Sequence, residues 1–305
     1  MQVADRLVSL ARGQRLEALD RSANKLIMYV ARDAHVSIGY AGQAFMGKVP
    51  TDEFIAQILA GETFTRGAGQ FCGVRIGGRI PRYDIGLAVD KVMQALVPAI
   101  RHNQVIQLMI AGHQFNRRGL VRPLAMRVEL TSKGVQLARK FPRNVPQGFA
   151  IVDAIGLSPP GAEMSEICKS IFQNPEVTKL KQVATKLTDA VRRNGAPGIG
   201  LHTSAIMLPV PGQAPIETGF FPVSPHYGIL KDGGRSEPFV ADISPWIIAP
   251  GLIKPPSFEI GGMNYNAGGL QFITNGAPDR TIPDGGGPIF AFSTMPRFDL
   301  PASVQ

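Results

Sequence analysis

The sequence has little cysteine, little tryptophan and no long apolar run. Two cysteines in 305 residues, Cys72 and Cys168, cannot make a disulfide framework and show no metal-ligand spacing. A reducing, cytoplasmic setting follows as the expectation. No apolar stretch reaches the roughly 18 residues that a membrane helix needs, and Asp5 and Arg6 interrupt the start, against a secretory leader. The five histidines (His35, His102, His113, His202 and His226) show neither HxxxH nor HxH spacing, so no metal and no cofactor are expected. The glycines at 73–78 lack the strand-then-helix frame of a dinucleotide fingerprint, Ser158 lacks the second glycine of a nucleophile elbow, and no signature surrounds Cys72.

Hydrophobic residues make up 44% and charged residues 18%, which places the chain among globular proteins that bury a large core. The formal net charge is +9. Its arginines are scattered, and aromatic residues do not interleave with them as stacking platforms would, which weighs against a nucleic-acid partner.

Periodicity organises the chain around residues 25–44. Leu26, Met28 and Val30 alternate with Ile27 and Tyr29, Arg32-Asp33 forms a bend, and Val36, Ile38 and Tyr40 resume the alternation. Both faces are apolar, so this hairpin is expected to be central and covered on each side. Before it, residues 1–10 read as a strand and 11–24 as a loop or ragged hairpin. After it, a helix begins at Pro50-Thr51-Asp52-Glu53, capped by Thr51 or Asp52 and stopped by Gly61. A second, amphipathic helix spans about 84–102, carrying Ile85, Ala88, Val89, Val92, Leu96 and Ile100 on one stripe, with Pro98 near its end. The period then switches to two over 105–115, 124–134 and 148–158. Helices follow at 161–173 and 175–194, and a strand at 199–210. Residues 211–305 are rich in glycine, proline and asparagine and read as a β-rich or irregular C-terminal extension of a domain spanning 1–210. Antiparallel strands interrupted by paired helices predict a four-layer αββα sandwich.

Within 1–210 stand Ala4-Asp5-Arg6 with Ser9 four residues after the aspartate, Asn24-Lys25, Ile38–Gly42 ahead of a helix, the strands Val105–His113 and Met126–Gly134, and the strand at 148–158 after them. In their order and spacing these motifs resemble the proteasome-like branch of the N-terminal nucleophile (Ntn) hydrolases. The resemblance implies amide or peptide hydrolysis by a terminal Thr, Ser or Cys whose own amine acts as base. It assigns Lys25 as the electrostatic lysine, Asp5 as its carboxylate and Gly42 as the backbone donor to the oxyanion, with Ser9 on the strand lining the substrate cleft. Met1-Gln2-Val3 stand where the family carries its first strand and nucleophile. The chain as written is therefore expected to be start-truncated or non-catalytic. A structural or assembly protein, compatible with a homo-oligomer, and a basic nucleic-acid-binding module are the competing classes.

Overall fold

The computed structural model describes residues 2–5, 8–12, 15–20, 24–64, 75–76, 79–116, 120–140, 153–156, 166, 186, 203–208, 217–221, 229–232, 235–238, 240–242, 245–256, 258–260 and 263–265. The chain opens with β1 (Gln2–Asp5) and a hairpin of β2 (Val8–Arg12) and β3 (Arg15–Asp20). Strands β4 (Leu26–Val30) and β5 (Ala34–Gly42) follow, then the two-residue pair β6 (Phe45–Met46) and β7 (Val49–Pro50), and helix α1 (Thr51–Ala60). Next come β8 (Arg75–Ile76), helix α2 (Ile85–Leu96) with a 3-10 turn at Val97–Ala99, and the long strands β9 (Val105–Phe115), β10 (Val121–Thr131) and β11 (Gly134–Lys140). The later strands are β12 (Thr203–Met207), β13 (Glu217–Phe221), β14 (Ile229–Asp232), β15 (Arg235–Pro238) and β16 (Val240–Asp242). They are followed by β17 (Trp246–Ala249), β18 (Leu252–Lys254), β19 (Phe258–Ile260) and β20 (Met263–Tyr265).

An eight-stranded mixed sheet dominates, in the order β11-β10-β9-β5-β4-β17-β18-β8. Strand β4 is buried along its whole length, as its two apolar faces require. Its odd-numbered residues Ile27 and Tyr29 join Val36, Ile38, Ile106, Leu108 and Ile110 in a core shared with α1 and α2. Its even-numbered residues Leu26, Met28 and Val30 pack on the opposite side against Ile206, Leu208 and Ala4. That second contact stacks the three-stranded sheet β1-β12-β13 on the main one. Glycine makes the close approach possible: a Cβ at Gly39 would lie 2.2 Å from the Gln2 amide nitrogen. Gln2 uses that space to donate to the Met109 carbonyl at 3.1 Å and to accept from Ser37 Oγ, so the buried polar bridge between the sheets is satisfied.

This architecture overturns the four-layer αββα sandwich. Among the described residues the fold is β-rich, dominated by a mixed sheet, and the cores of helices α1 and α2 lie on one face of it. The pairing of β17 with β4 is parallel, Trp246–Ile248 lying beside Ile27–Tyr29. Runs of antiparallel strands are the basis for expecting a sandwich, and a strand inserted in parallel from more than 200 residues away is invisible to local periodicity. The expected helices at 161–173 and 175–194 lie outside the described residues apart from Glu166 and Lys186, each helical. The expected strand at 148–158 is described only at Asp153–Gly156, which is not strand.

The helix start is a second correction. Pro50 occupies the N-cap of α1, and no side chain caps it. Thr51 turns its hydroxyl to the Gln43 carbonyl at 2.8 Å, and Asp52 is engaged elsewhere. At the other end Gly61 adopts a left-handed conformation (φ 70°), as the stop signal requires.

Candidate functional site

Lys25 immediately precedes β4, half-buried, and its carbonyl accepts the Tyr40 N–H at 3.3 Å. Gly42 closes β5, two residues beyond Tyr40 and opposite Ile106 of β9. The two residues therefore share one end of the β4–β5 pair. Gly42 has φ 105°, and a Cβ there would sit 2.0 Å from the Val105 carbonyl oxygen. No other residue fits that backbone position without displacing β9.

The other two expected residues stand apart. Asp5 ends β1 in the second sheet, paired with Thr203 of β12. Ser9 lies on β2, whose partner is β3 at Ala18, in a separate two-stranded sheet. The register thus brings Lys25 and Gly42 together on neighbouring strands and places Asp5 and Ser9 on other sheets.

Gln43, which sequence reasoning did not single out, holds the surroundings of Gly42. Gln43 donates to the carbonyls of Phe45 (2.7 Å) and Ala99 (3.2 Å), and its Oε1 accepts the Arg101 N–H at 2.8 Å. One amide thus ties β5 to the segments before and after both helices. Asn24, 3% exposed, donates to the Leu26 carbonyl at 2.8 Å and to Asp52 Oδ2 at 3.1 Å. Trp246 Nε1 donates to the same Asp52 oxygen at 3.0 Å. This buried triad links the start of β4, the first turn of α1 and β17. Burial pushes the Asp52 carboxyl up to about 6, outweighing the hydrogen bonds and the Trp246 donor that favour its charged form. The proximity of positions 24, 52 and 246 leaves no local pattern to read.

At the far end of β5, His35 lies directly opposite His113 of β9. Burial, with the nearby charges of His113 and Arg82, lowers His35 to about 4. Burial also lowers His113. Both imidazoles are therefore held toward the neutral form. Among the described residues no group of three or more His, Cys, Asp or Glu is arranged to hold a metal ion, and no helix is long and apolar enough to cross a membrane. In the bend between β4 and β5, Asp33 accepts the Ile85 N–H that opens α2 at 2.7 Å and the Gln114 amide at 2.8 Å. A cap from 52 residues away thus replaces the missing local one.

Comparison of the chain with protein-family models, curated proteins and solved structures gives no match.

Proposed function

We propose that the Lys25–Gly42 end of the β4–β5 pair handles an amide carbonyl, in a hydrolytic reaction of the kind carried out by the Ntn hydrolases whose motifs the chain resembles. The observation that carries this reading is the register, with Lys25 opposite Tyr40 and Gly42 two residues further along the same strand. A lysine ammonium near a nucleophile favours its ionised form, and a backbone N–H at a position restricted to glycine can approach an oxyanion closely. The Gln43 hydrogen bonds hold that backbone rigid, as preorganised electrostatic catalysis demands.

A second reading, a non-catalytic protein using the same frame for structure or assembly, is favoured by the state of the hydroxyls. Ser37 and Thr51, the buried serine and threonine among the described residues, are committed to Gln2 and to the Gln43 carbonyl. Turnover of amide and peptide substrates by the full chain, compared with Lys25→Ala, separates the two. Hydrolysis that Lys25→Ala abolishes while the fold is retained supports the amide-handling site. Absent turnover, or turnover indifferent to Lys25, removes it and leaves the structural reading.

A further inference from the structure

Strand β11 forms one edge of the main sheet. It pairs with β10 from Thr131–Gly134 to Met126–Lys140, and among the described residues nothing pairs with its outer side. Val135, Gln136, Leu137 and Ala138 are exposed one after another, so neither face of the strand is covered there. Three of the five exposed large apolar side chains among the described residues, Val105, Val135 and Leu137, lie on β9 and β11 at this end of the sheet. One bulge interrupts the ladder at Gln136, whose amide turns back to Thr131 Oγ1 at 3.2 Å. Beyond it, Leu137–Lys140 run in regular register with Met126–Glu129. Open edges are ordinarily blunted by short length, by proline or by charge along the strand. β11 has seven residues, no proline, and no charge from Gly134 to Ala138.

Cations bracket this neutral stretch. Lys133 stands in the turn before β11, and Arg139 and Lys140 end the strand. Two carboxylates lie near them. Asp153 faces Arg127, the residue opposite Arg139, with Asp153 Oδ1 3.6 Å from Arg127 Nη1. At that distance no hydrogen bond forms, but the two charges offset one another. Glu129, opposite Leu137, accepts the Gln107 amide at 2.8 Å. Setting Glu129 against Lys133, Arg139 and Lys140 leaves a surplus of two positive charges along the edge.

That surplus decides what fits. Pairing β11 antiparallel with a second copy about Leu137 sets Lys140 opposite that copy's Gly134 and beside its Lys133, at both ends of the contact. A register moved toward Arg139 brings the two arginines together instead. Like charges on neighbouring strands are destabilising, and each copy also carries a net charge of +9. An acidic strand meets no such repulsion. We propose that the β11 edge binds an extended segment of an acidic protein partner, which joins the sheet as a further strand. Backbone hydrogen bonds to the open edge hold it, apolar side chains lie beside Val135 and Leu137, and carboxylates flank them near Lys133, Arg139 and Lys140. This surface is independent of the Lys25–Gly42 end of the sheet.

The test titrates the full chain into two fluorescently labelled peptides and follows their anisotropy. One is Glu-Asp-Val-Thr-Val-Ile-Asp-Glu, and the other is Lys-Arg-Val-Thr-Val-Ile-Arg-Lys. The acidic peptide is expected to bind at least about tenfold more tightly than the basic one, the sum of several exposed charge pairs. Raising salt from about 0.05 to 0.5 M is expected to narrow that gap. Leu137→Asp, a change at an exposed position, is expected to weaken the acidic peptide by about tenfold. Arg139→Glu combined with Lys140→Glu is expected to invert the preference between the peptides, which a merely damaged fold would not do. Lys140→Glu alone, expected to narrow the preference, serves should the double variant fail to fold. Two N-methylated forms of the acidic peptide, one for each alternate set of N–H groups, separate strand addition from charge attraction, since the set that faces β11 must lose binding. Equal affinity for the two peptides, no binding of the acidic one up to about 1 mM, unchanged affinity in folded Leu137→Asp, or full binding by both N-methylated forms overturns the proposal. Self-association of the chain in sedimentation that Leu137→Asp abolishes also overturns it, in favour of a second copy on this edge.

Discussion

Replacing Asp52 by asparagine tests whether the buried Asn24–Asp52–Trp246 triad is held together by a strained charge. The folded-state pKa is raised to about 6 from an ordinary 3.8. Between those values the folded protein keeps a proton that the unfolded chain has released. Stability contributed by this group is therefore greatest below about pH 4 and is lost as the pH rises to about 6. A shift of roughly 2 units at 1.36 kcal/mol each corresponds to about 3 kcal/mol. Asparagine preserves an acceptor oxygen for Trp246 Nε1 and Asn24 Nδ2 and cannot ionise. The unfolding free energy of Asp52→Asn minus that of the parent is therefore expected to grow by about 3 kcal/mol between about pH 4 and pH 7, whatever the offset at the acid end. Asp52→Ala differs in kind. It leaves the buried Trp246 N–H without this acceptor and, relative to Asp52→Asn, costs about 1–3 kcal/mol across the whole range. Denaturant titrations of the three proteins at steps of about one pH unit from pH ~4 to ~7 supply the comparison. A difference between Asp52→Asn and the parent that stays flat with pH, or that shrinks toward neutrality, refutes the reasoning, because the carboxylate would then carry no cost of burial.

His35 titrates with the opposite sign over nearly the same range. Its folded value near 4 lies below the ordinary 6.5, so the stability it contributes is full above pH 6.5 and falls by about 3 kcal/mol as the pH drops to 4; His35→Gln is expected to flatten that fall in denaturant titrations. Gly42→Ala combines a positive φ with a clash against the Val105 carbonyl and is expected to lower stability by at least about 2 kcal/mol, read as a reduced denaturation midpoint with unchanged slope. Gln43→Ala removes three hydrogen bonds around the same backbone, about 1 kcal/mol each by the usual net value, and a loss below about 1 kcal/mol in total means that water replaces them.

Local periodicity determined much of what surrounds the candidate site. The alternation across 26–40 specified two adjacent antiparallel strands with both faces covered, and β4 and β5 pair from Leu26–Gly39 to Val30–His35. The stripe at 84–102 specified α2 and its buried face, and Pro98 falls within the 3-10 turn that ends it. Gly61 and Gly134 mark turns because their positive φ values exclude most side chains. These features were legible because each depends on residues within a few positions of one another. Tertiary structure alone decided the rest. Pattern shows that a face of β4 is apolar, but not that Trp246–Ile248 arrives in parallel beside it, nor that the helices share one side in place of the expected four layers. It likewise gives no sign that Asn24 and Trp246 converge on Asp52, that Asp33 caps a helix 52 residues away, or that Arg127 stops short of Asp153. A buried polar residue takes its role from the partner that satisfies it, and for Asp52, Asp33 and Gln2 that partner comes from a distant part of the chain.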